Sequence, residues 1–382
     1  MKRIIAFFMM FSIFMLGTVT CFAETEEKKE DESIEKAKSA ILMCMDTGDI
    51  IYEKNAYEHC SPASVTKVMS ILLILEAIDS GKISLTDSVA ASENAVAMGG
   101  SQIWLEVGEK MTVDELLKAV VVASANDACM ALGEYIAGSD TGFIKMMNDR
   151  AKELGLENSN FENCTGLDDT VTNHYSCAYD LAVIAKEVMK HESIKNYTSI
   201  WLDSLRNGKT ELNNTNKLVN TYKGITGLKT GTTSNAGFCL CATAERDGMN
   251  LVAVVLDCET SDVRFESATN LLDFGFANYE LAEPQFDQSK ITDVRIKNGI
   301  EKSISPSLAD AEKILVAKGS GEIEYTYEIN TEMQAPVNKG DKLGTIVLKS
   351  GDDIIKTVYL KSDKDVKKIS FSFIFTKMLK NI

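Results

Sequence analysis

The length, composition and charge of the chain limit the classes to which it can belong. It has 382 residues, of which 45% are hydrophobic and 25% charged, a balance that excludes a wholly disordered chain and suits one large domain with a smaller one. Lysine and arginine number 40 against 56 aspartate and glutamate residues, so the net charge at neutral pH is −16. This charge argues against a general nucleic-acid binder, which needs a basic face to displace counterions.

The first 23 residues have the pattern of a secretory signal peptide. A short basic stretch precedes an apolar run at 4–16, and small and polar residues lead from there to Ala23. We expect cleavage after Ala23 and therefore an exported protein. Retention of the apolar run as an anchor is a less favoured alternative because the run is short for a membrane span, and acylation at Cys21 is another. Residues 24–36 are mostly glutamate, aspartate and lysine and are expected to form a solvated tether.

Eight cysteines remain once Cys21 is removed with the signal peptide. They are Cys44, Cys60, Cys129, Cys164, Cys177, Cys239, Cys241 and Cys258. An even number in an exported protein is compatible with disulfides, but a chain of this length can bury a core without them. Cys239 and Cys241 would share one face of a strand rather than form a zinc site. We therefore expect buried, unpaired thiols.

The predicted elements begin with strands, continue with helices and return to strands. Apolar runs at 40–44 and 50–52 flank a turn and predict a β-hairpin, and the runs at 236–244 and 250–257 predict another. Apolar residues at helical spacing predict five helices, which lie from Ser64 to Gly81, at 113–137, 141–155 and 177–191, and from Arg264 to Gly275. Strands from both ends of the region 37–283, with helices between them, favour an antiparallel sheet flanked by helices.

The pattern changes after residue 283. Three of the four prolines lie beyond this point, and short alternating strands are predicted at 313–317, 323–329, 342–348 and 353–360. We expect residues 284–365 to form a small all-β domain. The predicted fold class is therefore α+β, with a larger mixed domain followed by a smaller β domain.

Ser64 is the strongest candidate for a nucleophile, because Lys67 follows it by three residues at the start of a predicted helix. Residues three apart lie on the same helix face, so the lysine amine would stand beside the serine hydroxyl. A serine needs a base that removes its proton, and a lysine can be that base when burial and nearby cations lower its pKa. A helix cap followed by a surface lysine has the same spacing, so other motifs are needed to decide.

A second pair of polar residues lies in the helix-rich middle of the chain. Ser124 would supply another hydroxyl that can relay a proton, and Asn126 would supply an amide for a substrate carbonyl. The tripeptide that contains them is common in proteins. Its significance comes from its position between the Ser64 motif and a third motif further along the chain.

The third motif consists of Lys229, Thr230, Gly231 and Thr232, just before the strand predicted at 236–244. On an edge strand Lys229 would provide a cation, and Thr230 would donate to a substrate carboxylate. Gly231 would allow a substrate to approach the backbone closely. The three motifs, in this order and at this wide spacing, argue against a chance match.

Together these motifs resemble those of the penicillin-recognising serine enzymes, and the chain is similar in particular to the D-alanyl-D-alanine carboxypeptidases, the low-molecular-mass penicillin-binding proteins. The similarity covers nearly the whole mature chain. The segments that carry it, besides the three motifs, are 48–56, 62–64, 100–105, 163–167 and 271–276. The resemblance implies a β-lactamase/transpeptidase-like domain over 37–283.

The resemblance also implies a role for each site residue. Ser64 would be acylated, Lys67 would be the general base, and Ser124 would relay a proton. The backbone N–H groups of Ser64 and Thr232 would form the oxyanion hole. The residues implied in substrate binding are Asn126, Lys229, Thr230, Gly231, Thr232 and Arg264. The implied substrate is a peptidoglycan stem peptide ending in D-Ala-D-Ala, with β-lactams as covalent inhibitors and no metal or organic cofactor.

Two positions depart from the family pattern, and three other classes compete with this interpretation. Ala125 stands where well-known relatives often have glycine, and Thr232 stands where some have histidine, but neither change removes a functional atom. A β-lactamase would usually have Ser-Asp-Asn in the second motif and no following β domain. A Ser-His-Asp hydrolase would need a Gly-x-Ser-x-Gly elbow, which is missing from the sequence. A penicillin-acylated wall sensor without turnover would use the same residues as the enzyme.

The C-terminal residues 366–382 predict an amphipathic helix. In a helical projection one side carries Phe371, Ile374, Phe375, Met378, Leu379 and Ile382, with Phe373 as the one misfit. Lysines are frequent here, and no acidic residue follows Asp365. The stretch is too short to span a bilayer, and its pattern suits a helix on an anionic membrane surface. A helix packed on the β domain is the alternative, but the family resemblance implies an anchor on the outer face of the cytoplasmic membrane.

Overall fold

The structure, a computed structural model, describes residues 36–169, 171–308, 313–351 and 353–379. The predicted signal peptide at 1–23 and nearly all of the predicted tether lie outside these ranges. The elements of the first unit are, in chain order, β1 (Ala37–Cys44), β2 (Ile50–Lys54), a 3₁₀ turn (Ala63–Thr66), α1 (Lys67–Asp79), β3 (Ser88–Ala90), α2 (Glu93–Val96), β4 (Lys110–Thr112), α3 (Val113–Val122), α4 (Asn126–Ala137), α5 (Asp140–Glu153), α6 (Ala178–Met189), a 3₁₀ turn (Glu192–Ile194), α7 (Lys195–Thr198), β5 (Leu202–Leu205), β6 (Thr210–Asn213), α8 (Leu218–Thr221), β7 (Ile225–Thr233), β8 (Gly237–Arg246), β9 (Met249–Cys258) and α9 (Ser261–Asn278).

An antiparallel sheet of five strands, in the order β2–β1–β9–β8–β7, lies at the centre of this unit. Its inner strands are continuous apolar runs because both faces are covered. Helices α1 and α3 to α6 build the core on one face, and α9 covers the other. Both predicted hairpins are confirmed, since β1 pairs with β2 and β8 with β9. Strand β7, which carries the third motif, lies at an edge of the sheet as predicted.

The single helix predicted at 113–137 is wrong, because the structure has two helices with a sharp break between them. Thr112 and Glu115 form a capping box at the start of α3. At the break, Ser124 has φ = +62°, in the left-handed region of the backbone map. Apolar residues keep their helical spacing across the break, so periodicity does not reveal it.

The other predicted helices are confirmed, with one change at the first of them. The turn that holds Ser64 is a 3₁₀ turn, and the α-helix proper begins at Lys67. Helix α1 is buried along most of its length, which explains why apolar residues surround it on nearly all sides. The helix predicted from Arg264 to Gly275 is the middle of the longer α9.

The second unit, from Tyr279 onward, consists of strands and one short 3₁₀ turn until its last helix. The strands are β10 (Tyr279–Ala282), β11 (Val294–Lys297), β12 (Ser303–Ile304), β13 (Ser307–Leu308), β14 (Ile314–Ala317), β15 (Glu324–Ile329), β16 (Glu332–Gln334), β17 (Lys342–Ser350) and β18 (Asp353–Lys361). Strands β13–β18–β17–β15 form one sheet and β12–β11–β16 another, with two small apolar cores. The four strands predicted here are confirmed, and so is the α+β class with a mixed unit followed by an all-β unit.

The described part of the chain ends with helix α10 (Phe371–Leu379), as predicted. Before it, Val366 packs in a core of the second unit, and the N–H of Ile369 donates to the Asn298 carbonyl oxygen at 2.8 Å. On the helix itself Phe371 is 83% exposed, and three further apolar side chains, Ile374, Phe375 and Met378, are exposed as well. None of the helices in the described ranges is long and apolar enough to cross a bilayer.

Candidate active site

Ser64 and Lys67 meet where the 3₁₀ turn leads into α1. Lys67 Nζ donates hydrogen bonds to Ser64 Oγ and to the Thr165 carbonyl oxygen, each at 2.9 Å. Ser64 is half-buried, whereas Lys67 is fully buried. The hydroxyl and the amine that the sequence places on one helix face are thus in direct contact.

The environment of Lys67 favours its neutral form. Burial lowers its pKa to about 8, because the ammonium group loses its hydration in the core. Cys129, Cys164 and Asp127 lie close enough to oppose this shift electrostatically, but burial is the larger effect. An amine with a pKa near the working pH is suited to accept a proton from a serine.

Residues 163–166, the Thr165 segment, pack at very short range against the 3₁₀ turn Ala63–Thr66 that holds Ser64, which we call the nucleophile turn. Gly166 has φ = +81°, and a Cβ at this position would lie 1.7 Å from the Ala63 carbonyl oxygen. Asn163 Oδ1 accepts the N–H of Thr165 at 3.1 Å and that of Gly166 at 2.6 Å. This segment therefore fixes the carbonyl group that holds the Lys67 amine.

Ser124 and Asn126 are positioned by the break between α3 and α4. Both side chains are almost fully buried. Asn126 Nδ2 donates to the Gly99 carbonyl oxygen, and its backbone N–H donates to that of Ser101, both at 2.7 Å. One of the two amide hydrogens is therefore occupied, and the other is left for the substrate carbonyl that we expected Asn126 to bind. Asn126 Oδ1 is buried and has no partner within the described ranges, so it is available to a substrate N–H.

Lys229 and Thr230 lie on the edge strand β7 and are almost fully buried. Lys229 Nζ donates to the Thr230 carbonyl oxygen at 3.0 Å, and Thr230 Oγ1 donates to Thr215 Oγ1 at 2.7 Å. Burial, followed by the positive charges of Lys67 and Arg264, lowers the pKa of Lys229 well below its usual value. A substrate carboxylate beside Lys229 would oppose these effects and restore the ammonium form.

The middle of β7 passes directly over the nucleophile turn. A Cβ at Gly231 would lie 2.7 Å from the Pro62 carbonyl oxygen and 3.0 Å from the Ser64 nitrogen, so only glycine permits this approach. Arg264, on α9, is buried and donates through Nη1 to the Gly231 carbonyl oxygen at 3.0 Å and to Thr232 Oγ1 at 2.9 Å. Its Nε is buried without a partner in the part of the chain that the structure describes.

The site residues predicted from the sequence thus come from four segments that meet around Ser64. These residues are Ser64, Lys67, Ser124, Asn126, Lys229, Thr230, Gly231, Thr232 and Arg264. The first two lie at the start of α1, the next two at the start of α4, four on β7 and the last on α9. The arrangement places a serine, a buried amine and a set of cationic and hydroxyl groups in one cleft, which suits acyl transfer to a substrate with a carboxylate.

Several polar groups that support this cleft were missed by the sequence analysis. Asp168 Oδ2 accepts from Ser61 Oγ at 3.2 Å and from Thr233 Oγ1 at 2.5 Å, and so connects the Thr165 segment to β7. Thr165 itself lies in one of the segments that carry the family resemblance, which could have identified it. Thr215 belongs to no motif, so no sequence signal identifies it.

His174 is a further missed residue, buried behind the nucleophile turn. Its Nδ1 accepts the Glu162 N–H at 3.0 Å, so Nε2 carries the proton and donates to Thr66 Oγ1 at 2.8 Å. Burial lowers the pKa of His174 to about 4. A neutral imidazole therefore supports the residue that directly precedes Lys67.

The eight cysteines in the described ranges are buried free thiols, which confirms the expectation of unpaired cysteines. Cys129 Sγ lies 3.3 Å from the Cys164 carbonyl oxygen, beneath the Lys67 side chain. Within the described ranges, no group of three or more histidine, cysteine, aspartate or glutamate side chains is arranged to hold a metal ion.

Known proteins match both units of the chain. A family profile described as D-alanyl-D-alanine carboxypeptidase matches residues 24–260, and one described as the C-terminal domain of penicillin-binding protein 5 matches residues 279–368. The D-alanyl-D-alanine carboxypeptidase DacF of Bacillus subtilis is 41% identical over 377 residues, which cover 97% of this chain and 96% of that protein.

Solved structures are similar over the same regions. Penicillin binding protein 5 from Haemophilus influenzae has a TM-score of 0.78 and 31% identity, and covers 87% of this chain and 98% of its own. Penicillin-binding protein D2 from Listeria monocytogenes, solved in an ampicillin-bound form, has a TM-score of 0.58 and 31% identity. The latter comparison covers 63% of this chain and 98% of the Listeria protein.

Proposed function

This chain belongs to the D-alanyl-D-alanine carboxypeptidase family, and on that premise we propose that it removes the terminal D-alanine from peptidoglycan stem pentapeptides through an acyl-enzyme on Ser64. The observation that carries this proposal is the 2.9 Å hydrogen bond between Lys67 Nζ and Ser64 Oγ in a buried position. Because burial lowers the pKa of Lys67 to about 8, the neutral amine is available near neutral pH to take the serine proton.

Substrate binding uses the groups on β7 and α9. The terminal carboxylate of the peptide lies against Lys229 and Thr230, with Thr232 and Arg264 beside them. Thr232 Oγ1 donates to the Gly231 carbonyl oxygen and accepts from Arg264 Nη1, so the guanidinium, whose Nε has no partner among the described residues, is the group that meets the carboxylate. A site that holds the C-terminal carboxylate selects the last peptide bond, which distinguishes a carboxypeptidase from an endopeptidase. Asn126 Oδ1 accepts an N–H from the acyl side of the substrate.

Acyl transfer then proceeds at Ser64. Its Oγ attacks the carbonyl carbon of the penultimate D-alanine while its proton passes to Lys67 Nζ. The backbone N–H groups of Ser64 and Thr232 stabilise the oxyanion. Ser124 relays a proton to the amine of the departing D-alanine, and water hydrolyses the acyl-enzyme. The close approach of Gly231 to the Ser64 nitrogen supports this use of two backbone donors.

The test is release of D-alanine by the purified mature chain from a peptide that ends in D-Ala-D-Ala. We expect turnover by the wild type and none by Ser64→Ala. Benzylpenicillin should add one acyl group to the wild type, which intact mass and peptide mapping would locate on Ser64. A label on another serine would refute the assignment, and a label on Ser64 without any D-alanine release would favour the wall sensor.

The position of the enzyme in the cell is part of the same proposal. The chain is exported, loses residues 1–23, and has a tether at 24–36 before the catalytic domain at 37–283 and the β domain at 284–365. Residues 366–382 associate with the outer face of the cytoplasmic membrane. The exposed apolar side chains of α10 and the lysines around it support this association.

A further inference from the structure

Trp104 is a large aromatic residue whose side chain is exposed to solvent. It is 77% exposed, although its neighbours Ile103 and Leu105 are buried. Its φ is +59°, a conformation that bulky side chains rarely adopt. Because the indole is mostly outside the core, burial of the side chain does not offset this backbone strain.

The backbone around Trp104 is fixed from two sides. The buried carboxylate of Asp127 accepts the N–H of Ile103 at 3.1 and 3.2 Å and that of Leu105 at 3.1 Å. Arg206 donates to the carbonyl oxygens of Ile103 at 2.7 Å and Trp104 at 3.3 Å. The exposed indole is therefore held by a rigid scaffold rather than by a loose loop.

This scaffold is continuous with the active site. Asp127 directly follows Asn126, and the Asn126 N–H donates to the Ser101 carbonyl oxygen at 2.7 Å. Trp104 is the third residue after Ser101, which limits the distance between their Cα atoms to about 11 Å. A lysine-length side chain of a substrate bound at Asn126 and the indole that extends from the Trp104 Cα can together bridge that distance.

The surroundings of the indole favour a positively charged ligand. A cavity of about 550 Å³ is lined by Trp104, Glu106, Val107, Gly108, Glu109 and Arg206. Arg206 Nε pairs with Glu109 at 2.7 Å and holds the pKa of that carboxyl below its usual value. The lining thus holds two carboxylates, Glu106 and Glu109, against the single guanidinium of Arg206, which interacts electrostatically with both.

We propose that Trp104 and Glu106 form a subsite for a terminal ammonium group, carried by the side chain of the residue that precedes the D-Ala-D-Ala pair. The indole face attracts the cation, and the Glu106 carboxylate pairs with it. The inference rests on the proposed function, since it assigns a specificity element to the same cleft.

The test compares three peptides of the form acetyl-X-D-Ala-D-Ala, in which X is lysine, Nε-acetyl-lysine or norleucine. The wild type should have the highest kcat/KM for D-alanine release from the lysine peptide. Trp104→Ala should lower kcat/KM for that peptide about 3- to 20-fold, the usual range for loss of a cation–π contact. Glu106→Gln should lower it as well, and neither variant should affect the norleucine peptide or acylation by benzylpenicillin.

Two controls make the outcome decisive. Ile354→Ala removes a similarly exposed apolar side chain in the second unit and should leave all three peptides unchanged. Equal losses on all peptides in Trp104→Ala, or a wild type without preference for lysine, would overturn the subsite. A binding measurement needs no turnover. The lysine peptide is added to Ser64→Ala, and the change in indole fluorescence is recorded. The same protein with Trp104→Phe added is the reference. A fluorescence change in Ser64→Ala, together with no D-alanine release by the wild type, would refute the proposed function but retain the subsite.

Discussion

At the scale of single residues, the proposed mechanism makes the reaction depend on the protonation state of Lys67. Its pKa is about 8, and only the neutral amine can accept the Ser64 proton. The rate of acylation by benzylpenicillin should therefore rise with pH below 8 and level off above it. Lys67→Ala should slow acylation about 10²- to 10⁴-fold and remove this dependence.

The measurement is the second-order acylation rate with a fluorescent penicillin, taken across this pH range. Lys82→Ala, which changes an exposed lysine just after α1, is the matched control and should behave as the wild type. A near-normal rate in Lys67→Ala, or a flat profile in the wild type, would show that Lys67 is not the base.

Lys229 should act on recognition of the carboxylate rather than on the serine. Lys229→Ala should reduce kcat/KM about 10- to 100-fold for a peptide with a free C-terminal carboxylate, because it removes a charge-assisted hydrogen bond. A peptide with a C-terminal amide should lose much less. Steady-state assays of both peptides decide this, with the exposed Lys209→Ala as control. Equal losses on the two peptides would exclude the assigned role.

At the scale of elements, the packing of the Thr165 segment on the nucleophile turn depends on Gly166. Gly155 offers a matched comparison, since its φ of +71° is similar but a Cβ there would meet nothing within 4 Å. Gly155→Ala should cost about 1 kcal/mol of unfolding free energy, from backbone strain alone. Gly166→Ala should cost about 3 kcal/mol or more and also slow acylation. If urea unfolding gave the same loss of unfolding free energy for Gly155→Ala and Gly166→Ala, the close contact with Ala63 would not be what requires glycine at position 166.

At the scale of the whole molecule, His174 should make stability depend on pH. Its pKa is about 4 in the folded chain against 6.5 when unfolded, so the unfolded chain binds more protons between these values. Stability should thus fall as pH drops from 6.5 to 4, by up to about 3 kcal/mol from this group. His174→Gln does not titrate, and its unfolding free energy should fall less steeply. Parallel curves for the two proteins would contradict this.

The proposed membrane association belongs to the same scale, and we expect it to depend on α10. Because Val366 packs in a core and Ile369 bonds to Asn298, the informative deletion removes residues 370–382 and not the whole of 366–382. The shortened enzyme should no longer bind anionic liposomes in a flotation assay and should retain full D-alanine release. Equal flotation of both forms, or loss of folding on truncation, would make the helix a structural part of the β unit.

Much of the fold and of the site could be predicted from the sequence, because the responsible patterns are local. The contact between Ser64 and Lys67 follows from a spacing of three residues at a helix start. The hairpins follow from apolar runs on either side of short turns, and the edge position of Lys229 follows from its place just before one of them. The even number of cysteines was compatible with disulfide pairing. The length of the chain, which allows a core without disulfides, correctly predicted free thiols.

Only the tertiary structure decided the features that depend on residues far apart in the chain. The apolar periodicity continues across the break at Ser124 and so does not reveal it. The positive φ of Ser124 depends on the packing of α3 and α4 and not on a local turn signal. The bond from His174 to Thr66 joins residues 108 positions apart, and no sequence spacing encodes such a contact. The same holds for the pKa of Lys67, since burial sets it, and burial exists only once the chain has packed.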